Sequence, residues 1–250
     1  MTTLTPTELT FDLNSLAQFG GGLVWRVVEH QHTASTRKLV NTQAEQDVLE
    51  ALLEQSKPPY PPGTEGLHYL LKTPFRYKNP HGSRFRAANA PRGVFYASDH
   101  VRTALAETAY YRLRFFADAP AMDLPRQEHK LTAFSVMYRA RKEIDLTETP
   151  LNRDHVLWAS PSDYSATQQL AQLAHTDGIE SIRYQSVRDV KQGKNVALLN
   201  PFLFKHKKPV VQHTWYMSIS KIEVVAARSG AYSLDREKER YIFESEALIR

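Results

Sequence analysis

Runs of apolar residues with different periods divide the chain. Leu23-Val-Trp-Arg-Val-Val28 is nearly unbroken and predicts a first strand; its one charge, Arg26, sits at an end, snorkels or points at an anion. Gly20 to Gly22 read as a flexible joint closing a lead-in. Residues 36–56 place Leu39, Val40, Ala44, Val48, Leu49, Leu52 and Leu53 on or near one face, which predicts an amphipathic helix. Pro58-Pro-Tyr-Pro-Pro62-Gly63 stops it, because proline disfavours both helix interiors and central strands.

A basic loop, a short strand and a helix then follow one another through residues 82–116. The strand is Gly93-Val-Phe-Tyr96, and Ser98 or Asp99 is the N-cap of the helix. Val101, Leu105, Ala109, Leu113 and Phe116 recur at helical spacing and form its core stripe. Glu107 follows Leu105 by two residues, about 200° of rotation, so it lies off that stripe with Ala104, Tyr111 and Arg114. Small Ala104 and Ala106 leave its carboxylate approachable; the plainer alternative is an exposed glutamate paired with Arg102 or Arg114.

Further on, Leu67 to Leu71 aside as a brief apolar element, Leu131 to Tyr138 alternates as a strand that Ile144 to Leu146 continues or pairs with. Ser162 to His175 reads as a helix ended by Asp177-Gly178, and strands follow at 179–184 and 194–199 around the polar loop Gln185 to Asp189. Thr214 to Ala226 is one or two strands. Many strands, few helices and no regular βαβ alternation predict a mixed α+β fold. The expected division is an N-terminal extension, 1–63, with strand 23–28 and helix 36–56, and a core, 64–250, that also takes in strand 23–28.

Composition changes this picture little. With 250 residues, 42% hydrophobic and 24% charged, the chain has the profile of an ordinary globular protein. It has no cysteine, so a thiol nucleophile, a thiolate metal site and a disulfide scaffold are excluded, and a cytoplasmic setting fits. No run is long and apolar enough for a membrane span, and the start lacks the pattern of a signal peptide. His30 and His32 could seed a metal site, but no third ligand stands near in sequence, and solvated loop residues are expected instead.

The net charge of +5 and pI near 9.3 raise nucleic acid as a partner. The 32 Lys and Arg are scattered, however, and the clusters Lys205 to Lys208 and Arg236 to Arg240 are short or interleaved with acids. A phosphorylated small molecule or an acidic protein fits such a field equally well. GxGxxG after a strand, the Walker loop, HExxH and GxSxG are all absent, against Rossmann dehydrogenases, P-loop enzymes, zincins and α/β-hydrolases.

GSRFR, GVFYAS, TALAE, and Tyr184 to Arg188 followed by Asn195 to Leu199 together resemble the RES domain, the toxin half of bacterial RES–Xre toxin–antitoxin pairs. The likeness runs from about residue 23 to 200 and is nearest to the longer, ADP-ribosyltransferase-like branch. The intervals from Arg84 to Tyr96, Tyr96 to Glu107 and Glu107 to Ser186 are 12, 11 and 79 residues, similar to the family layout. The resemblance implies a RES fold, NAD as substrate without a metal, and cleavage of the nicotinamide–ribose bond, with ADP-ribose passing to a protein, water or phosphate.

It also implies residue roles. Glu107 would stabilise the oxocarbenium-like ribose. Arg84 and Arg26 would clamp the pyrophosphate, with Arg86 as a competitor for the role of Arg84. Tyr96 would stack on or bond to the nicotinamide end, Ser186 would position the substrate, and Asn195 belongs to the binding set. The implied partners are an Xre-like antitoxin and a protein acceptor of ADP-ribose, with no membrane and no direct nucleic-acid contact. The alternatives are a basic nucleic-acid-binding module and a non-enzymatic partner surface. Helix 36–56 either contacts a partner or packs on its own domain.

Overall fold

The structure, a computed structural model, describes residues 12–30, 39–119, 123–125, 127–230 and 239–249. Helix α1 (Leu13–Leu16) leads into strand β1 (Gln18–Glu29), followed by helices α2 (Gln43–Ser56) and α3 (Tyr69–Arg76). Strand β2 (Phe95–Ser98), helix α4 (Val101–Ala117) and the 17-residue strand β3 (His129–Asp145) come next. Helices α5 (His155–Trp158) and α6 (Ser165–Thr176) precede strands β4 (Ser181–Gln185), β5 (Lys194–Leu198), β6 (Val211–Ile219), β7 (Glu223–Arg228) and β8 (Arg240–Glu244), and α7 (Ser245–Ile249) closes the described chain.

The strands form one eight-stranded mixed sheet in the order β1-β2-β5-β4-β3-β6-β7-β8, so the fold is α+β as expected. Because β1 also pairs with β3, the first five strands of that order close on themselves. The closure has a simple cause. β3 is long enough to pair along one edge with β1 and along the other with β6 at its start and β4 at its end. Among the described strands only β3 and β4 run parallel; every other pair is antiparallel.

Three apolar clusters hold the layers together. One joins α5 and α6 to β4 through Trp158, Leu170, Ile182 and Tyr184; a second joins α3 to β2, β3 and β5 through Leu71, Phe95, Phe134 and Val196. The third packs Leu105, Ala109 and Leu113 of α4 on Trp215, Met217, Val224 and Phe243, which is the stripe read from the sequence. Each large side chain so buried contributes roughly 1.5–3 kcal/mol.

Several boundaries differ from the sequence reading, each for a local reason. Gly20 to Gly22 are not a joint but part of β1, opposite Ala140, Arg139 and Tyr138. A Cβ on Gly20 would lie 2.3 Å from the Glu143 side chain, so the glycine permits close strand approach. Helix α2 starts at Gln43, not 36, where Thr42 and Glu45 form a reciprocal capping box; residues 31–38, including His32, lie outside the described residues. Helix α4 begins after His100, because the expected caps are engaged elsewhere: Asp99 receives two bonds from Arg183, and Ser98 donates to Asn195. The brief apolar element read at Leu67 to Leu71 is the start of α3, which runs on to Arg76, tolerating Pro74 near its end while burying Leu70, Leu71 and Phe75. Strand β8 and α7 were not expected from the charged segment that precedes them.

Candidate active site

Helix α4 packs beside β1 and β2, and it delivers Glu107 to a cavity of about 430 Å³. Glu107 Oε1 accepts two hydrogen bonds, from Ser186 Oγ and Asn195 Nδ2, both at 2.7 Å. Bonds to an ionised acceptor of this length are the strong kind. The carboxylate is thus fixed through one oxygen, and its Oε2 makes no hydrogen bond among the described residues. Neither Arg102 nor Arg114 pairs with it: Arg102 pairs with Asp189, and Arg114 with Asp118.

Both donors are themselves braced. Asn195 Oδ1 accepts from Ser98 Oγ at 2.6 Å, which ties β5 to β2 and fixes the amide with its nitrogen toward Glu107. Ser186 Oγ accepts the backbone N–H groups of Arg188 and Asp189 at 3.2 and 3.1 Å while its own proton goes to Glu107. Asp189 in turn accepts from Thr103 Oγ1 at 2.8 Å, locking the loop after β4 onto the first turn of α4. Ser186 is buried and does not line the cavity; it stands behind the carboxylate.

Another part of the lining is basic. Arg26, projecting from β1, donates from Nη1 to the Tyr96 carbonyl at 2.7 Å and lies over the Phe95 ring, while its Nε is sealed without a partner. Burial pulls its pKa down to about 10, so it remains charged at neutral pH. The two loop arginines behave differently from each other. Arg84 is latched by Nη1 and Nη2 to the carbonyls of Trp158 and Ser160 at 2.5 and 2.9 Å, its guanidinium beside the Tyr164 ring. Arg86 uses Nη2 for the carbonyls of Tyr77 and Ala90, and its Nε is buried with no partner. Burial lowers the Arg86 pKa as well.

An unpaired buried donor costs roughly 1–3 kcal/mol. The sealed Nε atoms cannot reach a ligand, but Arg26 Nη2 and Arg86 Nη1 make no hydrogen bond among the described residues and are not sealed, so both cavity-lining guanidinium groups keep a donor for an anion such as a pyrophosphate. Tyr96 lines the same cavity, but its hydroxyl is engaged with Ser83 Oγ at 2.8 Å and accepts Phe85 N–H at 3.1 Å, so it pins the arginine loop to the strand. Burial raises its pKa and that of Tyr184, so both phenols are neutral at physiological pH.

All seven residues singled out from the sequence therefore meet around one site, six on the cavity wall and Ser186 behind it. The sequence reading missed Arg188, a buried cavity residue stacked 3.5 Å over the Tyr110 ring, although it ends the quoted segment Tyr184 to Arg188. It also missed Ser98 and Asp189, whose function as braces is invisible without the fold. Among the described residues no cluster of His, Asp or Glu is placed to hold a metal, and no helix is long and apolar enough to cross a membrane.

The family model of the RES domain matches residues 60–219. Among solved structures, the chain is similar to one described as the M. tuberculosis MbcT-MbcA toxin-antitoxin complex, at 10% identity and a TM-score of 0.44, over 78% of this chain and 87% of that one. No curated protein matches the chain.

Proposed function

The chain belongs to the RES-domain family, and on that premise we propose that it is a toxin that breaks the nicotinamide–ribose bond of NAD and passes ADP-ribose to a protein, to water or to phosphate. The observation that carries this reading is the fixed carboxylate of Glu107 in one cavity with Arg26 and Arg86, each of which keeps a guanidinium nitrogen out of any hydrogen bond among the described residues.

The chemistry follows from that arrangement. Nicotinamide leaves as a neutral base, so no strong acid is required, and positive charge develops on the ribose. A carboxylate held rigid by Ser186 and Asn195 stabilises that charge without reorganising, and its second oxygen can hold a ribose hydroxyl or the incoming nucleophile. Arg26 and Arg86 hold the pyrophosphate, while Arg84, latched to two carbonyls, shapes the loop that carries Arg86. Tyr96 secures the same loop and offers its ring to the nicotinamide end.

A family toxin implies an Xre-like antitoxin that covers the site, and an acidic segment would complement its arginines. We place NAD, this antitoxin and the acceptor of ADP-ribose as the partners, in the cytoplasm. Incubating the purified protein with NAD in buffer, with added phosphate and with bacterial lysate tests the reading. Nicotinamide release in buffer identifies a hydrolase, release that needs phosphate a phosphorylase, and release that needs lysate a transferase. No release in any of the three contradicts it.

A further inference from the structure

A buried ion pair outside the cavity is tied to the Glu107 carboxylate through the serine loop. Asp189, in the loop after β4, has a side chain only 2% accessible. Its carboxylate accepts from Arg102, from Thr103 Oγ1 at 2.8 Å and from the Lys191 N–H at 3.0 Å. Of these donors only the Arg102 guanidinium carries charge. At this depth removing one partner leaves the other charge buried and uncompensated, which an exposed pair escapes.

The backbone of the same residue leads into the site. Asp189 N–H donates to Ser186 Oγ at 3.1 Å, and Ser186 gives its own proton to Glu107 Oε1 at 2.7 Å. A shift of the Asp189 side chain therefore moves the N–H that directs the serine. Arg102 acts on this chain of contacts from outside. It precedes Glu107 by five residues on α4, about 140° around the helix, and it does not line the cavity.

Arg102 is held in turn by β8. Its guanidinium lies 5.4 Å from the centre of the Phe243 ring, a cation–π contact. Phe243 is buried in the cluster that contains Leu105 and Leu113 of α4 and Leu248 of α7, so its ring has a fixed place. Both β8 and α7 lie beyond the residues that the RES-domain model matches.

We infer that Arg102 is a positioning residue for Glu107, acting through Asp189 and Ser186, and that β8 sets its place by laying Phe243 against its guanidinium. The inference rests on the role proposed for Glu107 in NAD cleavage. It makes the C-terminal segment a support of the site rather than an appendage.

Two measurements test it: steady-state nicotinamide release, and hydrogen exchange of the Arg188 and Asp189 amides, which bond Ser186 Oγ. Arg102→Met, which keeps an apolar stem and removes the charge, should lower kcat about tenfold with KM changed by less than about twofold. Arg102→Lys should recover most of that loss, and Phe243→Leu should lower kcat about two- to fivefold, the range of a lost cation–π contact. In a Ser186→Ala background, neither Arg102→Met nor Phe243→Leu should lower kcat by more than about twofold, because the residue through which they act is gone. Exchange at Arg188 and Asp189 should rise in both single variants while β3 stays protected. Full multiplication of the effects in the double variants, a rise in KM at constant kcat, or exchange that rises everywhere or not at all would overturn the inference. Exchange needs no turnover, so a wild type that releases no nicotinamide removes the cleavage reaction, and unaltered exchange at the two amides removes the coupling.

Discussion

Ser186 Oγ lies 2.7 Å from Glu107 Oε1, across a sequence interval of 79 residues. The hydroxyl gives its proton to the carboxylate while taking two backbone N–H groups, so it is polarised in the direction that strengthens the bond. This places the serine behind the carboxylate and outside the cavity lining.

Ser186→Ala should accordingly lower kcat by about 10–100-fold with little change in KM for NAD, since it loosens the carboxylate without removing a substrate contact. Stability should fall by about 1–2 kcal/mol, because two buried N–H groups lose their acceptor. Steady-state kinetics and a denaturant melt check both numbers. A rise in KM at constant kcat would instead put the hydroxyl on the substrate.

Much of this site could be read in the sequence because its residues sit in short, ordered strings. The helical period of α4 separated Glu107 from the core stripe, and the intervals among Arg84, Tyr96, Glu107 and Ser186 carried the family resemblance. The division of labour among the arginines was not legible. Whether Arg84 or Arg86 keeps free donors depends on which carbonyls, those of Trp158, Ser160, Tyr77 and Ala90, the fold brings to each. Proline chemistry hid α3, whose buried leucines outweigh one lost backbone bond, and close strand packing gave three glycines the look of a joint.

Arg84→Ala should therefore behave as a stability mutation. The change strands two carbonyls and removes a buried side chain, and a loss of about 2–4 kcal/mol is expected. Arg84→Lys should recover little of it, because one ammonium cannot reproduce the fork that reaches both carbonyls. Chemical denaturation of the three proteins decides the matter.

Arg26→Met should separate stability from binding. Without ligand, the lost bond to Tyr96 and the relieved burial of a charge offset one another to within about 1 kcal/mol. ADP-ribose should raise the melting temperature of the wild type and not that of the variant. The buried guanidinium also sets a pH trend. Its folded pKa, about 10, lies below its ordinary value, so the folded protein releases this proton first and the charge penalty is relieved only as pH rises above about 10. Throughout the neutral range the penalty is present and constant, and the ADP-ribose shift should not vary with pH between about 6 and 8 on account of this residue.

Gly193 guards the brace between the serine loop and α4. A Cβ there would stand 2.1 Å from Thr103 Oγ1 and 2.9 Å from Asp189 Oδ2. Gly193→Ala should push Asp189 off Thr103, cost about 1–3 kcal/mol and lower kcat more than it raises KM. Thr103→Val keeps the shape without the bond and should give the same kinetic signature more weakly.

The most direct test compares nicotinamide release from NAD by the wild type and by Glu107→Gln, each in buffer, with phosphate and with lysate. The account predicts release by the wild type in at least one condition, and a fall of about 100-fold or more in the variant at an unchanged melting temperature. Release by the variant at the rate of the wild type, or none by the wild type under any condition, would contradict it.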